Sequence, residues 1–301
     1  MQTTIRTLII LLAGLFAALP ASATDLNLNE AGGFIIDAQV NGRPVRLRVS
    51  TAAPGYIILN PAAAQRLGLR RSMTSAQTFV GPVRLRGSTK AAEVTLAGTK
   101  SERRLLWWDR NVTEGADGVI SAGDLPYERV TFRLAPEHAG ERTLQLPMEW
   151  DRSSGLTHRL ALGGQQVFVT ITPHKADTLA TAAAGALMAQ LHGGAWAGEA
   201  QMLPVTFGVS RPMRPLRLAR PMTIAGLPLA GLMVRTQDHR GNARLPGEPD
   251  ADPDEIVVTA NVARQKPRYF LGLARDWLAP CSSMTLDVRT RLITLSCRPA
   301  G

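Results

Sequence analysis

The stretch Val40–Leu69, VNGRPVRLRVSTAAPGYIILNPAAAQRLGL, decides how the rest of the chain is read. Val45, Leu47 and Val49 alternate with Arg46 and Arg48, the period-two pattern of a strand with one face turned to a core. The strand runs into six small residues, Ser50-Thr51-Ala52-Ala53-Pro54-Gly55, whose Pro and Gly mark a loop. A second apolar segment, Tyr56 to Leu59, precedes Asn60-Pro61 and an alanine-rich run. Asn60 suits a helix N-cap and Pro61 the first helical position. The unit is therefore strand, small-residue loop, strand, helix.

The same unit occurs again. Residues 165–187, QQVFVTITPHKADTLATAAAGAL, lie over residues 45–67 without a gap, pairing Ser50 with Thr170 and Asn60 with Ala180. A second helix is expected over about Thr181 to Leu191. Further on, DGVISAGDLPYERVTFRL (117–134) is echoed by RYFLGLARDWLAPCSSMTLDV (268–288): two apolar residues, a small one (Ser121 or Gly272), a polar bend and an outgoing strand. Ser50 lies 71 residues before Ser121, and Thr170 lies 102 before Gly272, so the second copy is longer by 31. Residues 237–267, 31 in number, are polar, charged and proline-rich, and read as a surface insertion in copy two; long surface loops are tolerated cheaply. Strand signals dominate elsewhere, in GGFIIDAQV, EVTLAG, RVTFRL and MTIAGLPLAGLMVRT.

Two β-rich copies, each with strand, loop, helix and an apolar-apolar-Gly element, resemble the bilobal pepsin- and retropepsin-like aspartic proteases. Leu271-Gly272 and DGVIS (Asp117 to Ser121) match the apolar-apolar-Gly element, with Ser121 for glycine. LNPAAAQRLGL is similar to the helix after the first catalytic loop of bacterial retropepsin-like proteins. The resemblance implies an all-β, bilobal acid-protease fold with two repeated lobes and few short helices. The lobes are expected over 24–150 and 151–301, the second carrying the insertion 237–267.

The chemistry of that family does not map onto this chain. Its two catalytic loops read Asp-Thr/Ser-Gly, and the two carboxylates share one proton because two charges about 3 Å apart cannot both ionise. The matching triplets here are Ser50-Thr51-Ala52 and Thr170-Ile171-Thr172, each lacking both acid and glycine. A hydroxyl needs an activating neighbour before it can act as a nucleophile. Asp177, in an Asp-Thr pair, is the outside candidate for a displaced acid, but it would put TPHKA in a buried strand, with a proline and a lysine there; a turn or helix-start role fits it better. Asp117 reads as a turn residue. Ser50 or Ser121 as a serine nucleophile finds no Gly-x-Ser-x-Gly elbow, and none of His138, His158, His174, His192 and His239 is marked as a base. The expectation is an inactive pseudo-peptidase whose cleft binds an extended peptide or protein strand. The alternatives are an active aspartic endopeptidase with unrecognised carboxylates, and a β protein with an unrelated task.

Composition adds the setting. Residues 1–23 combine Arg6, an apolar run from Leu8 to Leu19 and Ala21-Ser22-Ala23, the pattern of an export signal cut after Ala23, which implies a periplasmic or secreted protein with no membrane span after cleavage. The formal charge of +10 comes largely from scattered arginines, read as solvated strand faces; a basic surface could attract anionic lipid heads or acidic polymers, but no nucleic-acid motif accompanies it. Cys281 and Cys297 are the only cysteines and are expected to pair, facing each other across a hairpin symmetric about Arg289. No metal ligand spacing is present and no cofactor is expected. Within the insertion, DEIVVTA resembles the TonB box, the periplasmic stretch through which outer-membrane receptors pair with their energy-coupling partner. On that resemblance Glu255, Ile256, Val257, Val258 and Thr259 would bind a partner edge, either the TonB-type machinery itself or, as a tethered mimic of receptor strands, the protein's own cleft.

Overall fold

The computed structural model describes residues 25–70, 75–80, 83–151, 155–236 and 267–299. The export signal and the segment Glu255–Thr259 lie outside the described residues. The described residues are mostly β, with two short helices, Pro61–Arg66 and Ala182–His192.

The alternation in Val40–Leu69 becomes the strand Arg43–Ser50, with Val45, Leu47 and Val49 buried. It pairs antiparallel with Ile35–Val40 and parallel with Gly118–Ser121. Gly118–Ser121 runs antiparallel to Ile57–Leu59, which runs parallel to Thr99–Trp108. Val83–Leu96 and Ser75–Val80 complete this seven-stranded sheet, with Ser75–Val80 at its edge. The second copy repeats the order. Gln165–Ile171 pairs antiparallel with Gly155–Leu162 and parallel with Phe270–Leu273. Phe270–Leu273 runs antiparallel to Leu179–Ala180, which runs parallel to Leu227–Arg235, itself in a hairpin with Val209–Ile224. The plan read from the sequence is present twice.

The gap-free pairing of the copies slips by one residue at the helices. The first helix has its N-cap at Asn60 and the second at Thr181, so Thr181, not Ala180, matches Asn60. Thr181 caps its helix by accepting from Ala184 N. Asn60 makes no capping bond. Its side chain instead accepts from Val112 N and donates to the carbonyls of Thr113 and Ala116, tying the loop after Thr99–Trp108 to the helix start.

A third sheet of five strands draws on both copies, in the order Asp25–Asn29, Arg129–Arg133, Cys281–Asp287, Leu292–Cys297, Arg142–Pro147. One large core beneath the sheets includes Leu47, Ile120, Phe132, Val169, Leu271 and Leu295. Cys281 and Cys297 form a disulfide. They face each other for a different reason from the one expected. The hairpin pairs Asp287 with Leu292 and Ser283 with Ser296, a register that alone would set Cys297 against Ser282. A bulge between Cys281 and Ser283 takes up the extra residue and brings the cysteines opposite. The bulged Ser282 and its neighbour Ser296 both donate to Glu141 Oε2, at 2.6 Å; these hydrogen bonds hold the Glu141 carboxyl below its usual range.

Two arginines depart from the expected solvated faces. Arg48 donates to Thr113 Oγ1 and to the carbonyls of Gly33 and Glu114. Arg211 is buried, 2% exposed, and its Nη1 donates to Val80 O in the other copy. Asp117 is a structural clamp: its carboxylate accepts from Arg46 N and, at 2.5 Å, from Arg66 Nη2.

Candidate binding cleft

The parallel registers align the two loops. Ser50 stands opposite Ser121, and Thr170 stands opposite Gly272. A Cβ added to Gly272 would meet nothing nearer than 3.7 Å, so this position tolerates a side chain, which accounts for the serine at its counterpart Ser121.

The loops touch. Thr51 Oγ1 donates to Ile171 O at 2.5 Å, a buried bond between residues 120 positions apart. Ile171 holds the matching position in copy two and has no hydroxyl to return the bond, so the link is one-sided. Thr172 turns inward on its own copy, its N and Oγ1 both donating to Leu273 O. Copy two clasps the first loop from the other side as well: Leu156 N donates to Thr51 O at 2.7 Å. Gly155, at φ +78°, comes so close that a Cβ there would lie 2.2 Å from Thr51 O. Only glycine meets both demands. Neither Gly155 nor Leu156 stands out in the sequence; a glycine before an alternating strand is the one signal that points to them.

Between the copies lies a cleft of about 520 Å³. Ser50, Ala52 and Ala53 line it from the first loop, and Thr170 and Thr172 from the second. The Ser75–Val80 strand and the Gln201–Thr206 strand contribute Phe79, Val80, Val205 and Thr206. Among the described residues, each of these strands pairs on one side only, in hairpins with Val83–Leu96 and Val209–Ile224. The hairpins meet through an apolar cluster that includes Val80, Leu85, Trp108, Val205, Val209 and Met213, with the Trp108 and Phe207 rings 5.7 Å apart.

The charge of the cleft is the reverse of an acid protease's. Its lining includes His174, Lys175, Arg235 and Arg268, and no Asp or Glu among the described residues. Burial, with help from Lys175 and Arg48, pushes the His174 pKa down to about 3, so the ring is neutral. Burial and the neighbouring Arg235 push Lys175 down to about 8; its Nζ donates to Val205 O. Among the described residues, Thr170, 1% exposed, holds its Oγ1 without a hydrogen-bond partner, and His174 Nδ1 is buried in the same condition.

The remaining candidates lie elsewhere. Asp177 is exposed and outside the lining. Its neighbour Thr178 is buried and donates to Asp276 Oδ1 at 2.5 Å, and Asp276 Oδ2 accepts from Thr178 N. Ser121 is fully buried and accepts from Gly123 N. His138, His158 and His192 are not in the lining, and His239 lies outside the described residues. Among the described residues no group of three His, Cys, Asp or Glu is placed to hold a metal ion.

No family model matches the chain, and no curated protein matches it. Among solved structures, the chain is similar to one described as EIAV protease complexed with the inhibitor HBY-793, at 18% identity over 29% of this chain and 79% of that one, with a TM-score of 0.23. A score that low carries no argument, and the fold rests on the topology of the chain itself.

Proposed function

We propose that this protein is an exported pseudo-peptidase of acid-protease-like fold, which binds an extended peptide or protein strand in its interlobe cleft without cleaving it. One observation carries the reading. The two positions that the duplicated topology brings to the cleft are the hydroxyl residues Ser50 and Thr170, and the ionisable groups beside them are basic. Acid-protease chemistry needs a carboxylate to activate water and a second, protonated one to polarise the carbonyl; a threonine, an arginine and a neutral histidine supply neither. Binding asks for less. Two strands that, among the described residues, have a strand neighbour on one side only can accept an extended segment by main-chain hydrogen bonding, with side-chain pockets setting preference. Export rests on residues 1–23 and remains part of the proposal, as does engagement of a TonB-type partner by Glu255–Thr259.

The test is hydrolysis of a diverse peptide mixture by the mature protein across acid and neutral pH, read by mass spectrometry, beside a binding assay on the same peptides. Binding without new termini is expected. Cleavage that survives Ser50→Ala and Thr170→Ala but is abolished by Asp177→Asn would restore the active-peptidase reading.

A further inference from the structure

Of the 34 basic residues four are lysines, Lys90, Lys100, Lys175 and Lys266, and among the described residues only Lys175 lines the cleft. Lys90 and Lys100 are exposed. The loop holds Lys175 at both ends of its backbone: its N donates to Thr172 O at 3.1 Å, and its O accepts from Arg275 N at 2.9 Å. Its side chain is half-buried and reaches the strand Gln201–Thr206, where Nζ donates to Val205 O. Among the described residues no Asp or Glu lines the cavity, so its walls give the ammonium no counter-ion. A desolvated ammonium without one sheds its proton more readily, in keeping with the pKa of about 8 that burial sets with help from Arg235. An arginine there would stay charged; a lysine becomes a neutral amine. Val80, Leu179, Val205, Phe207 and Phe270 give the cavity apolar wall, and about 520 Å³ is room for a small molecule. A lysine desolvated in such a pocket is the form that attacks carbonyl carbon.

We propose that Lys175 is a covalent capture site, which takes an apolar aldehyde into the cleft and holds it as an imine. This does not depend on the cleft binding a strand; it adds a reaction to the same cavity. The lone pair of the neutral amine forms the Nζ–C bond while the carbonyl π pair moves to oxygen. The nitrogen then gives up both of its hydrogens, the oxygen leaves with them as water, and C=N replaces C=O. Nothing is oxidised or reduced, and water is the only product that leaves, so an aldehyde needs no reactant beyond the amine. The bond to Val205 O occupies an N–H and leaves the lone pair for the attack. Once protonated, the imine keeps one N–H for the same carbonyl. Thr170, on the wall of the same cavity, has a hydroxyl uncommitted to any partner among the described residues, a donor suited to the departing oxygen. The apolar walls set the class of aldehyde.

The test needs no variant. The mature, oxidised wild-type protein is treated at neutral pH with hexanal and sodium cyanoborohydride, which reduces each imine to a stable secondary amine. Peptide mapping by mass spectrometry compares the rate at Lys175 with the rates at Lys90 and Lys100 in the same sample, the N-terminal amine being mapped separately. Lys175 is expected to be labelled about tenfold or more faster than either, because at neutral pH an amine of pKa about 8 is unprotonated far more often than one at the usual 10.5. In guanidinium chloride that advantage should vanish. A rate at Lys175 no higher than those at Lys90 and Lys100, or an advantage that survives unfolding, overturns the proposal. Glyceraldehyde, a polar aldehyde, should label Lys175 more slowly than hexanal relative to Lys90 and Lys100; the reverse order overturns the assignment of an apolar occupant.

Discussion

The bond from Thr51 Oγ1 to Ile171 O can be removed almost without changing shape. Thr51→Val replaces a hydroxyl by a methyl in a residue that is 2% exposed. The loss then has two parts: the net worth of one hydrogen bond, about 1 kcal/mol, and the penalty for a buried carbonyl left without a donor, about 1–3 kcal/mol before relaxation. Ile171 O lies beyond the antiparallel ladder with Gly155–Leu162, whose last pair is His158 with Val169, so no strand neighbour there replaces the hydroxyl. We expect a loss of about 2 kcal/mol in total. The matched change in the other copy is the control. Thr172→Val also deletes a buried hydroxyl, but its acceptor, Leu273 O, keeps the bond from Thr172 N at 2.8 Å. That carbonyl stays satisfied, and the loss should be about 0.5–1 kcal/mol. Urea unfolding of the mature, oxidised protein measures both. With a slope of about 3 kcal/mol per molar for a chain of this size, Thr51→Val should lower the midpoint by about 0.7 M and Thr172→Val by about 0.3 M or less. Equal shifts, or a Thr51→Val shift below about 0.2 M, would refute the claim that this one-sided link holds the two loops together.

The same geometry makes three further changes informative. Gly155→Ala places a Cβ 2.2 Å from Thr51 O in a left-handed backbone and should cost about 2–4 kcal/mol from strain and overpacking, checked by the same urea titration; a loss under about 1 kcal/mol would show that the first loop yields freely. His174 is neutral in the fold, with its pKa down to about 3 from 6.5. Between these values the unfolded chain binds the extra proton, so stability falls as pH drops through that window. Melting temperatures measured between neutral and acid pH should therefore decline less steeply in His174→Gln than in wild type, and parallel curves would contradict the assignment. Removing the disulfide by Cys281→Ser with Cys297→Ser opens a loop of sequence separation 16 and should cost about 3 kcal/mol, with unchanged denaturant midpoints under reducing and oxidising conditions as the contrary result.

The duplicated plan is legible in the sequence because period-two alternation and the small-residue breaks report burial directly, as at Val45, Leu47 and Val49. Local pattern also places both helices to within a residue or two. Tertiary effects stay hidden. Asn60 has the chemistry of a cap and the position of one, yet a loop some fifty residues away claims its side chain. Arg211 sits in a run of arginines that reads as a wet face, and only the meeting of two hairpins buries it. The cysteine spacing suggests a symmetric hairpin, whereas the register is offset and a bulge restores the contact. At the cleft, that residues 50 and 170 carry hydroxyls and not carboxylates is readable from the triplets alone. The gathering of Lys175, Arg235 and Arg268 is not, since nothing in their sequence spacing brings three separate segments to one cavity.

Whether a strand occupies the cleft and leaves it uncut can be measured in a single experiment: hydrogen–deuterium exchange on the mature protein with and without a saturating extended peptide drawn from the binding assay, followed by mass analysis of the recovered peptide. Slowed exchange is expected at the edges Ser75–Val80 and Gln201–Thr206 and in the loops at Ser50–Ala53 and Thr170–Lys175, with the peptide recovered at full length. Protection confined to other surfaces, or recovery of the peptide in two fragments, would contradict strand binding without cleavage.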